Sequence, residues 1–538
     1  MRLRRGRKAT ADQPGRQERG AADRFERAQN WLDERLGTTS FARRALRTVF
    51  PDHWSFLLGE IALGCLVVLV VTGVFLTFFY TPDTRGVTYD GPYAPLKGQQ
   101  VSAAFDSTMR LSFEVKAGLL MRQTHHWATL VLLAATVVHL CRVFFTRAFR
   151  RPRELNWVIG VVLLLLAMAE GLTGYWLTDD LLSGVSIHIG YSVVLAIPVI
   201  GPRVAQLVFG GEFPAPDMLS QFYVFHVLLL PALLLALAGV HIAIVALQRH
   251  TQFRGPGHAE RNVIGKRFWP QHAFKSVSLL LLVAAVCAGL GGLAQINPVW
   301  QYGPFKAANV TSPAQPDWYL GWVDGLLRLG GPWSFEVFGY TISESFWPAI
   351  LFPAVAFGVL TLWPWIERRF TGDRTAHHLL DRPRDAPAHT ATGLAGLVLF
   401  FIPFLAGSGD VLAVLLNVSI ETITRILRYA LFIAPLLTCW WRSGCAARSA
   451  RPRCTRPPPP RVCACGARPV GGTRPSGPTL GAVAGMARFC DRTPDPTPPQ
   501  QLNLEVDAVD PSWTHHGLHC WSFWRSFHQS LLDRTRPH

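Results

Sequence analysis

Hydrophobic residues gather in long runs along most of this chain, rather than in the short alternating patterns of soluble elements. Eight such runs lie between residues 56 and 441. Runs of about 18 or more apolar residues are typical of helices that cross a lipid bilayer. The pattern therefore predicts an all-α integral membrane bundle of about eight transmembrane helices. In chain order the predicted spans, A to H, are 56–80, 118–145, 157–178, 222–247, 276–296, 346–365, 391–407 and 419–441.

The charged residues between these runs are unevenly distributed, and the asymmetry predicts an orientation. Loops B–C, D–E and F–G carry 15 Lys and Arg against 6 Asp and Glu, whereas the other four loops carry 7 against 13. Loops rich in Lys and Arg stay on the cytoplasmic side of a membrane. We therefore expect a multi-pass protein of the cell membrane with both termini in the cytoplasm.

Composition argues against several other classes of protein. Hydrophobic residues make up 49% of the 538 positions and charged residues only 16%, which is too apolar for an ordinary soluble enzyme. The net charge of +17 is carried between the runs and at both ends, so we expect no nucleic-acid partner. Only Cys65, Cys141 and Cys287 precede residue 439, and no CxxCH motif occurs. The cysteines therefore predict neither c-type haem attachment nor a zinc site.

The chain divides into four predicted parts. Residues 1–48 form a polar cytoplasmic extension, 49–250 contain spans A to D, and 251–441 form a C-terminal transmembrane region. Residues 442–538 are rich in Arg, Pro and Cys and show neither helical nor strand periodicity. Their composition fits a disordered tail, and it also fits a frame-shifted stretch of the gene.

Histidines inside the spans point to chemistry, because ionisable residues are costly there. The sequence interval from His125 to His139 in span B is 14, and that from His226 to His241 in span D is 15. At about 100° per residue, both members of each pair lie on a similar side of their helix, roughly 21 Å apart along it. Spans B and D run in the same direction, so the histidines meet at two depths. Two facing imidazoles at one depth predict a bis-His iron site, here present twice.

Glycines follow the same two-level period in the neighbouring spans. Gly59 and Gly73 in span A, like Gly160 and Gly174 in span C, are separated by the same interval as His125 and His139. A flat macrocycle needs close backbone approach, which glycine allows, although either pair alone also fits ordinary helix packing. Together with the histidines, these glycines predict a four-helix core, formed by spans A to D, that holds two b-type haems.

Two arginines are candidates for the haem propionates, which need cationic partners at the membrane edges. Arg122 and Arg142 each lie three residues from a predicted ligand, His125 and His139 respectively. For Arg142, extension of the side chain toward the membrane surface explains the position equally well.

Five stretches carry a specific family resemblance: TGVFLTFFYTPDT, MRQTHHWATLVLLAATVVHLCR, NWVIGVVLLLLAMAEGLTGYWL, FYVFHVLLLPALLLALAGVH and QPDWYLGWVDGLLRL. They resemble cytochrome b of the respiratory cytochrome bc complexes, and most of all its actinobacterial branch. The resemblance covers roughly residues 20–440 and ends before the tail. It implies a subunit that transfers electrons from quinol across the membrane, within a quinol–cytochrome c reductase coupled to proton translocation.

The resemblance also implies cofactors and partners. Arg122 and Arg142 match the family's propionate-binding arginines. A Rieske iron–sulfur subunit and a c-type cytochrome subunit are implied as partners, in a homodimeric complex that associates with a terminal oxidase, and menaquinone is implied as the substrate. The implied haem ligands are His125 and His226 for a low-potential outer haem, and His139 and His241 for a high-potential inner haem.

Loop E–F contains a candidate quinol site. Its segment Pro316–Tyr319 reads PDWY and matches the Pro-Glu-Trp-Tyr motif of the family. We predict that Asp317, the only carboxylate of the motif, accepts a quinol proton and that Tyr319 positions the ring. Alternatively, Asp317 caps a helix start and Tyr319 packs at the membrane interface. The quinone-reduction site has no clear match, since Lys275 and Ser276 stand where a Lys-Asp pair is common.

Two other functions are alternatives to quinol oxidation. A quinone-reactive membrane anchor of a dehydrogenase also holds two haems, but the PDWY segment and the eight spans disfavour it. A transporter with histidines as proton relays is disfavoured by the lack of broken helices bearing paired charges.

Overall fold

The computed structural model describes residues 46–308 and 315–449, together with six residues between 27 and 35. The described residues all fall within one compact unit. Most of the predicted extension, residues 1–48, and most of the predicted tail, residues 442–538, lie outside the described residues.

Seven helices in the described part of the chain are long and apolar enough to cross a membrane. Each falls within about four residues of a predicted span, except that span E begins eight residues earlier and span F ends six residues later than predicted. The prediction of a membrane helical bundle is confirmed. The helices are span A (Trp54–Thr77), B (Gly118–Phe145), C (Glu154–Trp176), D (Met218–Gln248), E (Phe268–Leu293), F (Trp347–Thr371) and G (Pro387–Gly407).

The eighth predicted span, 419–441, lies in the helix Ile420–Ser449, which is not among those seven. Glu421, Arg425 and Arg428 occupy its first turns, so the apolar part of the helix is short. Arg425 donates a hydrogen bond to Glu421 at 2.8 Å, as expected on a polar helix face. The structure thus has seven helices of spanning character among its described residues, where the sequence predicts about eight.

The spans that carry histidines pack against the spans that carry glycines. Span A lies along span B, span D lies along span C, and span E packs against both A and B. Cys65, Ala128 and Cys287 are fully buried where A, B and E meet. Small side chains at such contacts let membrane helices approach closely.

The loops after spans A, C, E and G gather at one end of the bundle, here called the first pole. They contain short helices that the hydrophobic pattern does not predict, because their apolar stretches are too brief to indicate spans. Two antiparallel strand pairs lie in these loops, Gly86–Thr88 with Gln100–Ser102 and Phe335–Val337 with Tyr340–Ile342. The short helices are Ala103–Phe113, Leu181–Leu195, Gly201–Phe209, Val299–Tyr302, Gly321–Leu329 and Gly409–Leu416.

The opposite end, the second pole, is formed by the start of span A and loops B–C, D–E and F–G. Val49–Phe50 pairs antiparallel with Lys266–Arg267, and Gln252–Phe253 pairs parallel with Leu379–Leu380. The carboxylate of Asp381 in loop F–G joins the three loops, because it lies within 3.1 Å of guanidinium nitrogens from the other two. Those partners are Arg147 and Arg150 of loop B–C and Arg254 of loop D–E.

Candidate functional site

His125 of span B and His226 of span D face each other near the first pole. Their ring centroids are 6.2 Å apart and their planes are inclined by 75°. A metal ion bound to one nitrogen of each ring, at about 2 Å per bond, would separate the centroids by about 6 Å. The two imidazoles therefore have the spacing of an iron site with two axial histidines.

Each of these histidines lies against a glycine of the neighbouring span. A Cβ atom at Gly73 would lie 3.3 Å from His125 Cε1, and one at Gly174 would lie 2.9 Å from His226 Nε2. Any side chain at either glycine would therefore crowd an imidazole. We call these four residues, His125, His226, Gly73 and Gly174, the first level.

The same arrangement recurs nearer the second pole. A Cβ atom at Gly59 would lie 3.3 Å from His139 Cε1, and one at Gly160 would lie 3.7 Å from His241 Cε1. These four residues form the second level, so the two-depth geometry predicted from spacing is present.

Hydrogen bonds fix the first-level rings through their Nδ1 atoms. His125 Nδ1 lies 2.9 Å from the hydroxyl of Thr72, which itself donates to the carbonyl of Val68. His226 Nδ1 lies 3.0 Å from the carbonyl oxygen of Glu170. An imidazole held at Nδ1 presents Nε2 for metal binding.

The predicted propionate arginines are incompletely paired, and Arg122 is buried while Arg142 is partly buried. Arg122 donates to the carbonyl of Asn297 at 3.3 Å, but its Nε has no partner among the described residues. Nε and one terminal nitrogen of Arg142 also lack partners there, and the guanidinium lies 4.1 Å from the centroid of the Phe56 ring. Buried guanidinium donors normally have acceptors, so these two side chains fit the carboxylates of a bound group.

These observations together match a haem better than a bare metal ion. Within the described ranges, no group of three or more His, Cys, Asp or Glu side chains could hold a metal. A two-histidine site needs further ligands, which a macrocycle supplies. The glycines leave room for such a flat group, and the unpaired arginine nitrogens suit its carboxylates. The role of the four histidines as haem ligands stays a prediction.

The predicted proton acceptor Asp317 lies beside the first level. Its Oδ2 is 3.0 Å from Nε2 of His126, the residue after His125, and both side chains are only 16% exposed. The helix that follows, Gly321–Leu329, has no side-chain cap. The alternative that Asp317 caps a helix start is therefore not what the structure shows.

Tyr319 is buried among spans B, C and D, near the first level. Only 4% of it is exposed, and it packs in a cluster with Leu133, Leu164 and Leu234. Its hydroxyl would lie 2.5 Å from a Cβ at Gly171 in span C. Burial, and secondarily the Asp317 carboxylate, raises the pKa of Tyr319 well above its usual value. The phenol therefore stays protonated and can donate a hydrogen bond.

A cavity of about 260 Å³ opens at the second pole. It is lined in part by His272 and Lys275, and His272 Nε2 lies 2.9 Å from Glu60 Oε1. Ser276 donates to the other oxygen of Glu60 at 2.8 Å. Because Glu60 follows Gly59, this polar group lies next to the second level.

Sequence reasoning missed His126, Glu60 and His272. His126 has no counterpart at the matching depth further along span B, so the two-level pattern does not select it, although an ionisable residue within a span is a signal in itself. Glu60 carried the same signal as an acid near the start of span A. His272 gave none, because its pairing with Glu60 joins positions that are far apart in the chain.

Comparison with known proteins identifies the family of the chain. Residues 130–304 match the family model described as "Cytochrome b(N-terminal)/b6/petB". A solved structure titled "Hyperthermophilic respiratory Complex III" matches with a TM-score of 0.55 and 20% identity, covering 77% of this chain and 99% of that one. At that identity, the structural match establishes the fold alone.

Three curated relatives carry the name "Cytochrome bc1 complex cytochrome b subunit". The protein of Streptomyces coelicolor is 44% identical, covering 79% of this chain and 78% of its own length. That of Mycobacterium tuberculosis H37Rv is 47% identical, covering 75% and 74%, and that of Corynebacterium diphtheriae is 45% identical, covering 76% and 75%. The chain therefore belongs to the cytochrome b subunits of bc1 complexes, membrane proteins that transfer electrons in quinol–cytochrome c oxidoreductases.

Proposed function

We propose that this chain carries electrons from a quinol through two b-type haems, one at each level. His125 and His226 hold the first-level haem, and His139 and His241 hold the second-level haem. The observation that carries the proposal is the repeated contact of a histidine ring with a glycine of the adjacent span, at all four positions. When bound, each haem iron accepts and passes on one electron at a time.

The protein's part is to hold and orient these groups. Thr72 and Glu170 set the first-level rings through Nδ1. Arg122 and Arg142 offer their unpaired donors to the propionates. The charge of the loops supports an orientation with the first level near the outer face of the plasma membrane and both termini in the cytoplasm.

Quinol oxidation takes place beside the first level, at Asp317. A quinol releases two protons and two electrons, so the site needs a proton acceptor and two electron acceptors. The Asp317 carboxylate accepts the two hydroxyl protons one after the other, releasing the first outward before it accepts the second, and the Tyr319 hydroxyl donates a hydrogen bond to a quinol oxygen. His126 is a positioning residue, because its ring nitrogen lies 3.0 Å from the carboxylate and holds it toward the bundle.

The family supports the remaining assignments. A haem bound by His125 and His226 would accept one electron, and the family implies a Rieske iron–sulfur subunit as acceptor of the other and a c-type cytochrome subunit as a further partner. The substrate is menaquinol, and the complex is a homodimer that associates with a terminal oxidase. These partners are inferred from membership of the bc1 cytochrome b family.

The cavity at the second pole is suited to a quinone that collects electrons from the second level. Reduction of a quinone consumes protons, and the Glu60–His272 pair beside the cavity is placed to deliver them. We expect Glu60→Gln to slow re-oxidation of the second-level haem by quinone, while reduction of the first-level haem by quinol keeps its rate. Stopped-flow spectroscopy with each haem followed separately measures both rates.

Asp317→Asn tests the quinol site. General acid–base groups typically contribute 10²–10⁴-fold, so quinol oxidation by the purified complex should slow by roughly that factor. Both haems should remain bound, because Asp317 is not a ligand. Glu336→Gln, an exposed carboxylate of the same loop, is the matched control and should leave the rate unchanged. A wild-type rate in Asp317→Asn across the working pH range would remove Asp317 from the mechanism.

A further inference from the structure

Span C carries one carboxylate in its interior, Glu170. The proposed function gives a role only to its backbone carbonyl, which orients the ring of His226. The Oε1 atom of Glu170 lies 3.2 Å from Nδ1 of His226, in addition to the 3.0 Å contact made by its carbonyl oxygen. The side chain is 19% exposed, and Oε2 is buried without a partner in the described part of the chain. An acid in this position is costly unless it interacts with a specific group, and the group it faces is the predicted ligand.

At the second level, the residue that corresponds to Glu170 is Asn156, which has a neutral side chain. Asn156 precedes Glu170 in span C by the same interval that separates Gly160 from Gly174. The carbonyl oxygen of Glu170 lies 3.0 Å from His226 Nδ1, whereas His241 Nδ1 has no hydrogen-bond partner among the described residues. The side chain of Asn156 is a neutral amide whose Oδ1 is buried without a partner among described residues. The two levels therefore differ by one carboxyl group in span C, which is present in Glu170 and replaced by an amide in Asn156.

A negative charge beside a ligating imidazole has a defined effect on the iron. It increases the electron-donating power of the ring through the Nδ1–H group and so favours the oxidised metal. Hydrogen bonding and charge around the axial ligands are among the means by which proteins set haem potentials. The nearest equivalent at His125 is the neutral hydroxyl of Thr72, whose effect on the iron is weaker.

We propose that Glu170 is a positioning residue that lowers the reduction potential of the first-level haem, and that the Glu170/Asn156 difference separates the potentials of the two levels. This inference rests on the proposed function, since it requires a haem at each level. Electron transfer from the first-level haem to the second-level haem is then thermodynamically favourable because of the Glu170 side chain.

Glu170→Gln tests the inference, because it keeps the size of the side chain and removes the charge. For a unit charge acting at an effective dielectric constant of about 20, we expect the reduced-to-oxidised ratio of the first-level haem at fixed potential to rise at least tenfold. That factor corresponds to a shift of about 59 mV for a one-electron couple. The second-level haem should not shift. The measurement is an optical redox titration of the purified complex.

The reciprocal variant is Asn156→Asp, which introduces a carboxylate at the second level. Its second-level haem should shift toward lower potential while the first-level haem stays at its wild-type value. The two variants therefore change the midpoint potentials of different haems in the same redox titration. The haem that shifts in each variant is thereby assigned to its level. A merely structural role of Glu170 would produce no such opposite pair of shifts.

Haem content separates the possible failures. Wild-type complex without two haems per chain would contradict the proposed function itself. Glu170→Gln with both haems bound and unshifted, or with both shifted equally, would overturn only the role of Glu170. If Glu170→Gln loses its haem, Asn156→Asp still tests the effect of a carboxylate on the haem potential. An unshifted second-level haem in that variant would overturn the inference.

Discussion

The first and second levels repeat one geometry but differ in the surroundings of their rings. At the first level, the rings of His125 and His226 meet Thr72 and Glu170 at Nδ1. Neither His139 Nδ1 nor His241 Nδ1 has a side-chain hydrogen-bond partner in the described residues.

The recurring glycine interval of spans A and C explains both the repeat and its limits. It places a glycine beside every histidine, because the interval is close to four whole turns of helix. It does not dictate the residues between the glycines. The histidine–glycine arrangement is therefore the same at both levels. The polar groups around the rings, and the closeness of the glycines to them, differ between the levels.

The largest effect is expected from the ligands. His125→Ala or His226→Ala should remove the first-level haem and leave the second, whereas His139→Ala or His241→Ala should do the reverse. Haem content and the reduced-minus-oxidised spectrum of the membrane protein measure this.

His126→Ala is the control for the ligand variants, and it should keep both haems. Loss of a haem in this variant, with both retained in His125→Ala, would show that the ligand in span B is His126.

The second effect concerns the distance between the span C glycines and the histidine rings of span D. A Cβ at Gly174 would lie 2.9 Å from Nε2 of His226 and closer still to Cε1, whereas one at Gly160 would lie 3.7 Å from the nearest ring atom of His241. The first distance requires the ring to move and the second is an ordinary contact. Gly174→Ala should therefore reduce the content of the first-level haem more strongly than Gly160→Ala reduces that of the second-level haem. Equal haem loss in both variants, measured by spectroscopy, would contradict the difference.

A smaller effect is expected at Thr72. Thr72→Val removes the hydroxyl beside His125 Nδ1 and keeps the shape of the side chain. A hydrogen bond of this kind contributes about 1 kcal/mol, so the first-level haem should be released at lower denaturant concentration while the second-level haem is unaffected.

Thr136→Val is the matched control, because the Thr136 hydroxyl donates to the carbonyl of Leu132 in span B. Denaturant titration followed at the haem bands compares the variants. Equal sensitivity of Thr72→Val and Thr136→Val would show that the bond to His125 adds nothing.

The smallest effect is expected from the tail. Deleting residues 450–538 should leave both levels and the rate of quinol oxidation unchanged, because the composition of that segment has no core-forming pattern. Haem content and turnover of the truncated complex test this. Failure of the truncated chain to assemble would indicate that the tail binds a partner subunit.

Much of the site follows from the sequence because helices convert spacing into direction. An apolar run in a membrane has little choice but to form a helix, since unpaired backbone groups are costly in lipid. Once the spans are helices, the intervals between His125 and His139, or Gly59 and Gly73, determine their relative depth and side. The eighth span shows the limit of this reasoning, because Arg425 and Arg428 interrupt an otherwise apolar helix.

The sequence by itself determined the membrane-spanning fold, the two depths and the residues that meet there. Only the tertiary structure decided the contacts between positions far apart in the chain, such as His126 with Asp317, Glu60 with His272 and Glu170 with His226. The physical reason is that periodicity is a local property of one helix. The partner of a buried polar group depends on which helix packs beside it and in what rotation, and no interval within a single span contains that information.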